Sequence, residues 1–161
     1  MAASDRSRGT RPLLTLRQKA IRALARRDYS RTELTRKLAR GGESVADIEA
    51  LLGEFEASGW LSDERYAGGA ARQRQGRYSQ RYIVEDLRAK GVDADTAKIA
   101  VCALEQDDYA TALALWQQRF GRPPADQKEK ARQVRFLQSR GFALQIVFRV
   151  LRDHGVQPDD E

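Results

Sequence analysis

The sequence predicts an all-α protein of three tandem three-helix repeats that form an elongated, curved helical array. The segment from Arg27 to Gly42 returns about 49 residues later, ending at Gly91, and more faintly about 50 residues after that, ending at Gly141. Apolar residues in each copy recur three and four apart, as on one face of a helix, and no segment alternates with the period of two typical of strands. Self-similarity at a period of this length is typical of repeat proteins.

Each copy carries signals for the beginning and the end of its helix. Ser30 followed by Glu33 is a capping box, in which the two side chains bond free backbone N–H groups, and Ser79 can cap the second copy without the box. The pairs Gly91-Val92 and Gly141-Phe142 predict a left-handed glycine followed by an apolar residue that packs back on the helix. The first copy departs from this pattern, since a glutamate follows its glycine.

The other helices are predicted from caps and apolar spacing, taken along the chain. We predict nine helices: about 13–26, 31–40, Ser44 to Gly59, from Ser62, from Ser79 to Gly91, 94–105, Asp107 or Asp108 to Gly121, Asp126 to Gly141, and a last one ending at Gly155. The predicted repeats span 14–61, 62–106 and 107–155, between a disordered basic tail at 1–13 and an acidic tail at 156–161.

A glycine pair and three large or reactive residues are explained by the structure expected around them. Gly68-Gly69 weakens the fourth helix by about 1 kcal/mol per glycine relative to alanine, which either close helix approach or local flexibility would explain. Cys102 stands among apolar residues and is predicted to lie in the core, as are Trp60 and Trp116.

Composition narrows the class of protein. A hydrophobic content of 41% with 32% charged residues is low for one compact core, whereas a stacked array needs less. One cysteine forms no internal disulfide, and no run of 18 apolar residues is present. The start of the chain has no apolar signal region, although its arginines and serines also suit a transit peptide. We expect a cytoplasmic protein.

The net charge of +6 is distributed in alternating blocks. Successive segments 1–40, 41–67, 68–91, 92–112, 113–152 and 153–161 carry +9, −6, +4, −4, +7 and −4. Each repeat therefore has a basic part followed by an acidic part. Such segregation favours a basic surface that binds phosphates or an acidic protein, with ordinary solvated helix faces as the alternative.

The candidate binding residues are the cations of the repeated segment and one tyrosine. They are Arg31, Arg36, Lys37, Arg40, Arg77, Arg81, Arg88, Lys90, Arg132, Arg135, Arg140 and Tyr78. Tyr78, like Tyr29 and Tyr82, can stack on nucleic-acid bases, but packing at a helix cap is the competing interpretation.

No constellation of catalytic residues is evident. His154 is the only histidine, so no histidine pair binds zinc, and no glycine-rich phosphate loop is present. Asp63-Glu64, at the start of a helix, are interpreted as partners of the helix dipole rather than as an acid and base. The sequence predicts a protein that is not an enzyme and has no cofactor.

Three segments stand out as motifs: GWLSDERYA from Gly59 to Ala67, RDYS from Arg27 to Ser30 and RFLQSRGF from Arg135 to Phe142. With these motifs the chain resembles, over about residues 14–152, the RecX family of bacterial regulators of the RecA recombinase. The third copy has Gln127-Lys128 where the other copies have Tyr-Ser, so roles of that dipeptide are not expected there.

The resemblance implies three three-helix repeats and a role in DNA recombination and repair. It implies a protein that binds the RecA filament on single-stranded DNA, limits filament growth and lowers its ATPase and strand exchange. We expect this protein to be a monomer. A helical nucleic-acid-binding module that competes for DNA is the alternative, and a plain scaffold ranks third. A sequence-specific transcription factor is disfavoured, because no helix is rich in Asn and Gln beside Arg and three units give no palindromic half-sites.

Overall fold

The computed structural model describes residues 13–154, which contain nine α-helices and no strand. Repeat 1 comprises α1 Leu16–Leu24, α2 Arg31–Ala39 and α3 Val45–Ala57; repeat 2 comprises α4 Asp63–Arg74, α5 Gln80–Ala89 and α6 Ala94–Cys102; repeat 3 comprises α7 Asp108–Arg119, α8 Gln127–Ser139 and α9 Leu144–His154. The predicted all-α class with three tandem three-helix repeats is confirmed. The basic tail apart from Leu13, the acidic tail and the helix end at Gly155 lie outside the described residues.

Each repeat buries its own core rather than sharing one. The fully buried side chains are Leu34, Ile48 and Leu52 in repeat 1, Ile83, Leu87 and Ala97 in repeat 2, and Leu137, Val147 and Val150 in repeat 3. Ala20, Ala67 and Ala112 are each 0% exposed and hold the same place in the first helix of their repeats. Each core is therefore formed within its own repeat, as in a repeat array.

The predicted caps are confirmed. Ser30 accepts the Glu33 N–H at 3.0 Å, and Glu33 accepts the Ser30 N–H at 3.4 Å, which completes the capping box. Beyond the glycines, the N–H of Val92 donates to Leu87 and that of Phe142 to Leu137, at 3.1 and 3.3 Å. The sequence analysis overlooked a second capping box, Thr15 with Gln18, which makes α1 begin later than predicted.

Two predictions about the core were wrong. Cys102 is exposed, because it follows the buried Val101 in α6 and is therefore turned about 100° away from the core face. Trp60 is 53% exposed and only covers Phe55, with ring centroids 5.9 Å apart. Trp116, by contrast, is buried as predicted, and its indole N–H donates to the Gln133 side chain at 2.8 Å.

The first junction joins repeats 1 and 2 through the N-terminus of α2. The Ser30 hydroxyl, which caps α2, also donates a 2.5 Å hydrogen bond to the carbonyl oxygen of Lys90 at the end of α5. The carboxylate of Asp63, the first residue of α4, accepts the Arg31 backbone N–H at 2.7 Å. Two helices of repeat 2 therefore satisfy polar groups at one helix end of repeat 1.

The second junction joins repeats 2 and 3 through the N-terminus of α5. Here the backbone N–H of Ser79 donates to the carbonyl oxygen of Arg140, at the end of α8, at 2.9 Å. Asp108, the first residue of α7, accepts the Gln80 backbone N–H at 3.1 Å. Repeat 2 therefore contacts repeat 3 through the same helix ends by which repeat 1 contacts repeat 2.

A glycine with positive φ ends the second helix of every repeat, but its surroundings differ. Gly42, Gly91 and Gly141 have φ of 81°, 88° and 89°. A Cβ at Gly42 would meet nothing within 4 Å, whereas one at Gly91 would overlap the Thr32 side chain and one at Gly141 would lie 2.6 Å from the Tyr82 Cβ. Only the two glycines at junctions are required for close contact with the preceding repeat.

The second helix of repeat 3 begins one turn earlier than its counterparts. Its cap, Asp126, lies eleven residues before Leu137, whereas the serine caps of α2 and α5 lie eight residues before the equivalent leucines. Glu129 holds the extra turn in place by accepting the Ala125 N–H at 2.9 Å. The missing Tyr-Ser dipeptide of the third copy therefore coincides with a longer helix and a carboxylate cap.

Candidate functional site: a basic cleft at the first junction

A cleft of about 270 Å³ opens beside the first junction and is lined mainly by cations. Its lining residues, which define the basic cleft, are Arg27, Tyr29, Glu33, Arg36, Lys37, Arg40 and Lys90. Helix α2 supplies one wall, the loop before it a second, and the end of α5 contributes Lys90. The cleft brings together Arg36, Lys37, Arg40 and Lys90, four of the cations singled out in the sequence.

The loop wall is built on Tyr29. The guanidinium of Arg27 lies 3.6 Å from the ring centroid of Tyr29, and the Lys37 ammonium lies 5.9 Å from the same centroid. Contacts of this kind hold cations over the ring by attraction to its π electrons. Tyr29 thus positions the charged ends of Arg27 and Lys37 at the wall of the cleft.

Glu33 is the one acidic residue among those that line the cleft, and its carboxylate already bonds other groups of the protein. Its carboxylate completes the α2 capping box and accepts a 3.3 Å bond from Arg27. Burial acts to lower the pKa of Arg27, but the hydrogen bond and charge of Glu33 together raise it, so this guanidinium stays charged. Burial also raises the pKa of the neighbouring Tyr66 to about 12, which keeps that phenol neutral.

The remaining cations of the cleft carry charge without a partner nearby. Within residues 13–154, Arg36, Arg40 and Lys90 form no ion pair, and both arginines are exposed. Unpaired cations around a concave surface attract anions such as phosphate or carboxylate groups. The cleft is therefore suited to an anionic ligand.

Basic side chains continue from the cleft along α1. A second depression, of about 500 Å³, shares Tyr29 and Lys37 with the cleft and adds Lys19, Arg22 and Arg26. These three residues and Arg27 were not among the predicted binding residues. The spacing of Lys19, Arg22 and Arg26, three and four residues apart, is the sequence signal by which those three could have been found.

The structure gives the other candidate residues different surroundings. Arg31 is ion-paired with Glu49, at 2.5 Å, and with Glu56, and Arg81 is paired with Glu85 at 3.0 Å. Those that are exposed and have no ion pair with a described residue are Arg77, Arg88, Arg132 and Arg135.

Arg140 and Tyr78 meet at the second junction. The Arg140 guanidinium lies 5.2 Å from the Tyr78 centroid and 5.5 Å from that of Phe136, and Tyr78 stacks on Tyr82 at 4.3 Å. These groups form an alternation of guanidinium and aromatic rings that joins repeats 2 and 3. Half-buried side chains of this kind serve packing and also present ring surface.

The GWLSDERYA segment is a structural joint between repeats 1 and 2. Gly59, with φ of 80°, ends α3, and the Arg65 guanidinium donates to the carbonyls of Gly59 and Trp60 and to Asp28, at 3.0 to 3.1 Å. Asp63 serves the neighbouring helix α2, as described above, rather than a reaction. The Glu64 side chain forms no hydrogen bond or ion pair with a described residue.

Two kinds of feature are absent from the described part of the chain. It contains no group of three or more His, Cys, Asp or Glu side chains placed to hold a metal ion. It also contains no helix long and apolar enough to cross a membrane.

Fold and cleft together define a helical-repeat protein with a cationic surface cleft at the joint between two repeats. Comparison with protein-family models matches the first, second and third three-helix domains of RecX to residues 17–55, 62–101 and 105–151. The chain belongs to the RecX family of regulatory proteins.

Individual relatives agree with this assignment. The chain is 44% identical to a protein of Leptothrix cholodnii named regulatory protein RecX, over 89% of this chain and 93% of that one. It is 40% identical to the regulatory protein RecX of Ralstonia nicotianae, over 91% and 92% of the two chains.

A solved structure shows the same fold at much lower identity. The crystal structure of RecX from Lactobacillus salivarius is 18% identical and has a TM-score of 0.69, over 86% of this chain and 93% of that one. The three-helix repeat arrangement is therefore retained where most side chains differ.

Proposed function

We propose that this protein is a negative regulator of homologous recombination that binds a RecA-type filament on single-stranded DNA. In this proposal it limits filament growth and lowers ATPase and strand exchange. Membership of a family of regulatory proteins supports the regulatory role. The observation that carries a contact with the filament is the basic cleft, where Arg36, Arg40 and Lys90 hold charge that no described acid neutralises.

The cleft would take phosphates of the filament's DNA. Cations from α2 and from the end of α5 converge there, so a phosphate would be gripped by two repeats at once. Charge-assisted hydrogen bonds from guanidinium groups to phosphate oxygens are short and strong. The geometry of the first junction would then set the spacing of these contacts.

The test compares charge reversal inside and outside the cleft. Arg36→Glu should weaken inhibition of recombinase ATPase on single-stranded DNA by about fivefold to tenfold, because it replaces attraction to phosphate by repulsion. Lys128→Glu is the matched control, since Lys128 is exposed, lies on the equivalent helix α8 and changes the net charge equally. Equal effects of the two variants would remove the cleft from the proposal.

A second candidate, simple competition for DNA, is supported by the stack of Arg140 with Tyr78. Aromatic and guanidinium surfaces stack on exposed bases with little sequence preference. Titrations at low and moderate salt separate the candidates, since bare single-strand binding weakens with a log-log slope of about 0.7 per neutralised phosphate. Inhibition that appears only where the protein saturates bare DNA would favour competition over regulation of the filament.

A further inference from the structure

Repeat 2 has an open apolar groove between its first and third helices. The α4/α6 groove has a volume of about 450 Å³ and is lined by Glu64, Gly68, Arg72, Thr96, Ile99, Ala100, Ala103 and Leu104. Ile99 is 71% exposed at its edge. The first and third helices of repeats 1 and 3 carry larger side chains and a polar contact at the positions that line this groove in repeat 2.

Small residues in repeat 2 replace large ones that fill the same space elsewhere. Counted from the equivalent alanines Ala20, Ala67 and Ala112, the position of Gly68 is held in repeats 1 and 3 by Ile21 and Leu113, both packed against their cores. An added Cβ at Gly68 would meet only the end of a flexible arginine, at 3.4 Å.

The facing helix shows the same replacement. Ile48, Ala97 and Val147 are equivalent and fully buried, so the position of Ala100 corresponds to Leu51 and Val150. Both of those larger side chains are buried. Each wall of the groove therefore lacks apolar volume that the other repeats possess.

A polar contact that closes the other repeats is also absent from repeat 2. Arg17 pairs with Glu54 at 2.6 Å across α1 and α3, and the Tyr109 hydroxyl donates to Asp153 at 2.9 Å across α7 and α9. The residues at these positions in repeat 2 are Glu64 and Ala103, which cannot bond each other. Both line the groove instead.

The α4 wall has a charge pattern that specifies the occupant. Glu64, Gly68 and Arg72 are four residues apart and share one helix face. The Arg72 guanidinium lies over Gly68, 3.4 Å from where a Cβ of that residue would stand. Among described residues neither Glu64 nor Arg72 forms an ion pair. An apolar side chain flanked by one basic and one acidic residue would complement this surface.

We propose that the α4/α6 groove is the protein-docking site of this chain and receives an apolar side chain of the recombinase. That side chain enters at Gly68 and displaces the flexible Arg72 guanidinium, which then pairs with an acidic residue of the recombinase. A basic residue of the recombinase lies beside Glu64. This inference rests on the proposed function and assigns separate surfaces of the molecule to DNA and to the recombinase. The basic cleft takes DNA phosphates, and the groove takes protein.

The test fills the groove with residues that the fold already tolerates at equivalent positions. Gly68→Leu and Ala100→Leu reproduce the residue types of Leu113 and Leu51, and Ile99→Glu places an acid on the exposed edge. Each should weaken binding to the assembled filament by about tenfold or more, because a leucine-sized apolar side chain loses its burial. Affinity for bare single-stranded DNA should stay within about twofold, since the phosphate contacts are untouched.

Circular dichroism of the same samples should show unchanged helix content, and the melting temperature of Gly68→Leu should not fall, because glycine disfavours a helix interior. Filament binding equal to wild type in these variants would overturn the groove while leaving the proposed function standing. Parallel loss of filament and DNA binding would also overturn it, as would a wild-type dimer that Gly68→Leu converts to monomer, since a second copy would then be the occupant. A wild-type protein that ignores the filament would remove the proposed function itself.

Discussion

The two junctions of the array share a backbone design but differ in the charge of the helix that receives the next repeat. In both, a serine-capped helix end meets the end of the next repeat's second helix, and an aspartate of that repeat accepts a backbone N–H. Around the first junction α2 presents Arg36, Lys37 and Arg40, whereas the equivalent residues of α5 are Glu85, Asp86 and Ala89. The charge of a joint is therefore free to vary while its geometry is maintained.

A second difference lies in how each serine reaches across. At the first junction the Ser30 N–H is already engaged by Glu33 in the capping box, and the hydroxyl makes the bond to the next repeat. Tyr82 stands at the position of Glu33 in α5, so the Ser79 N–H remains available and donates to Arg140 itself. The exchange of Glu33 for Tyr82, three residues after the capping serine, thus determines whether the serine hydroxyl or the serine N–H bonds the next repeat.

The largest expected effect concerns the junction glycines. Gly42→Ala should cost about 1 kcal/mol, because it meets only the strain of positive φ. Gly91→Ala and Gly141→Ala should each cost about 2 to 4 kcal/mol, because the new Cβ also overlaps the preceding repeat. Chemical denaturation of the three variants measures this difference, and equal losses would show that the glycines serve only to end their helices.

The serines should separate the two junctions. Ser30→Ala removes a helix cap and the hydroxyl bond to Lys90, and should cost about 2 kcal/mol. Ser79→Ala removes the cap alone, because its bond to Arg140 comes from the backbone, and should cost about 1 kcal/mol. Thermal unfolding of both variants tests the comparison. A larger loss for Ser79→Ala would contradict the different roles of the two hydroxyls.

The smallest expected effect on stability comes from reversing a charge on α5, beside the second junction. Glu85→Arg breaks an exposed pair with Arg81 and should change the free energy of unfolding by less than about 0.5 kcal/mol. It should nevertheless strengthen binding to single-stranded DNA, because the second junction then gains a cation where the first has Arg36. Parallel unfolding and DNA titrations check both statements, and a large loss of stability would show that surface charge and junction geometry are coupled.

The sequence predicted local structure better than it predicted contacts between repeats. The caps at Ser30 and Ser79 and the glycine ends depend on neighbouring residues, so short-range patterns sufficed for them. The bond from Ser30 to Lys90 spans 60 positions and depends on how whole repeats pack, which no local pattern contains. Cys102 was misplaced for a related reason, since apolar neighbours alone do not indicate which face of α6 is turned inward.

Charge raised the same difficulty in the candidate site. The basic residues of α2 were identifiable from the sequence, but their number alone did not separate free cations from paired ones. Arg31 and Arg36 are both arginines of one helix, yet only Arg31 faces the acids of α3. Gly68 was identified from the sequence only as a weak point of the fourth helix, and Ala100 was not identified at all, because the α4/α6 groove is evident only beside the larger residues at these positions in repeats 1 and 3.

The longer α8 bears on self-assembly. A head-to-tail chain of molecules would require the start of α8 in one copy to receive the second-helix end of repeat 1 from another, as α2 and α5 receive their neighbours within the chain. Helix α8 instead begins at Gln127 with Asp126 as its cap, so its start has no serine hydroxyl of the kind that bonds Lys90 at the first junction. Unclosed head-to-tail contacts generate fibres. The start of α8 therefore lacks one of the groups through which a head-to-tail contact between copies would form.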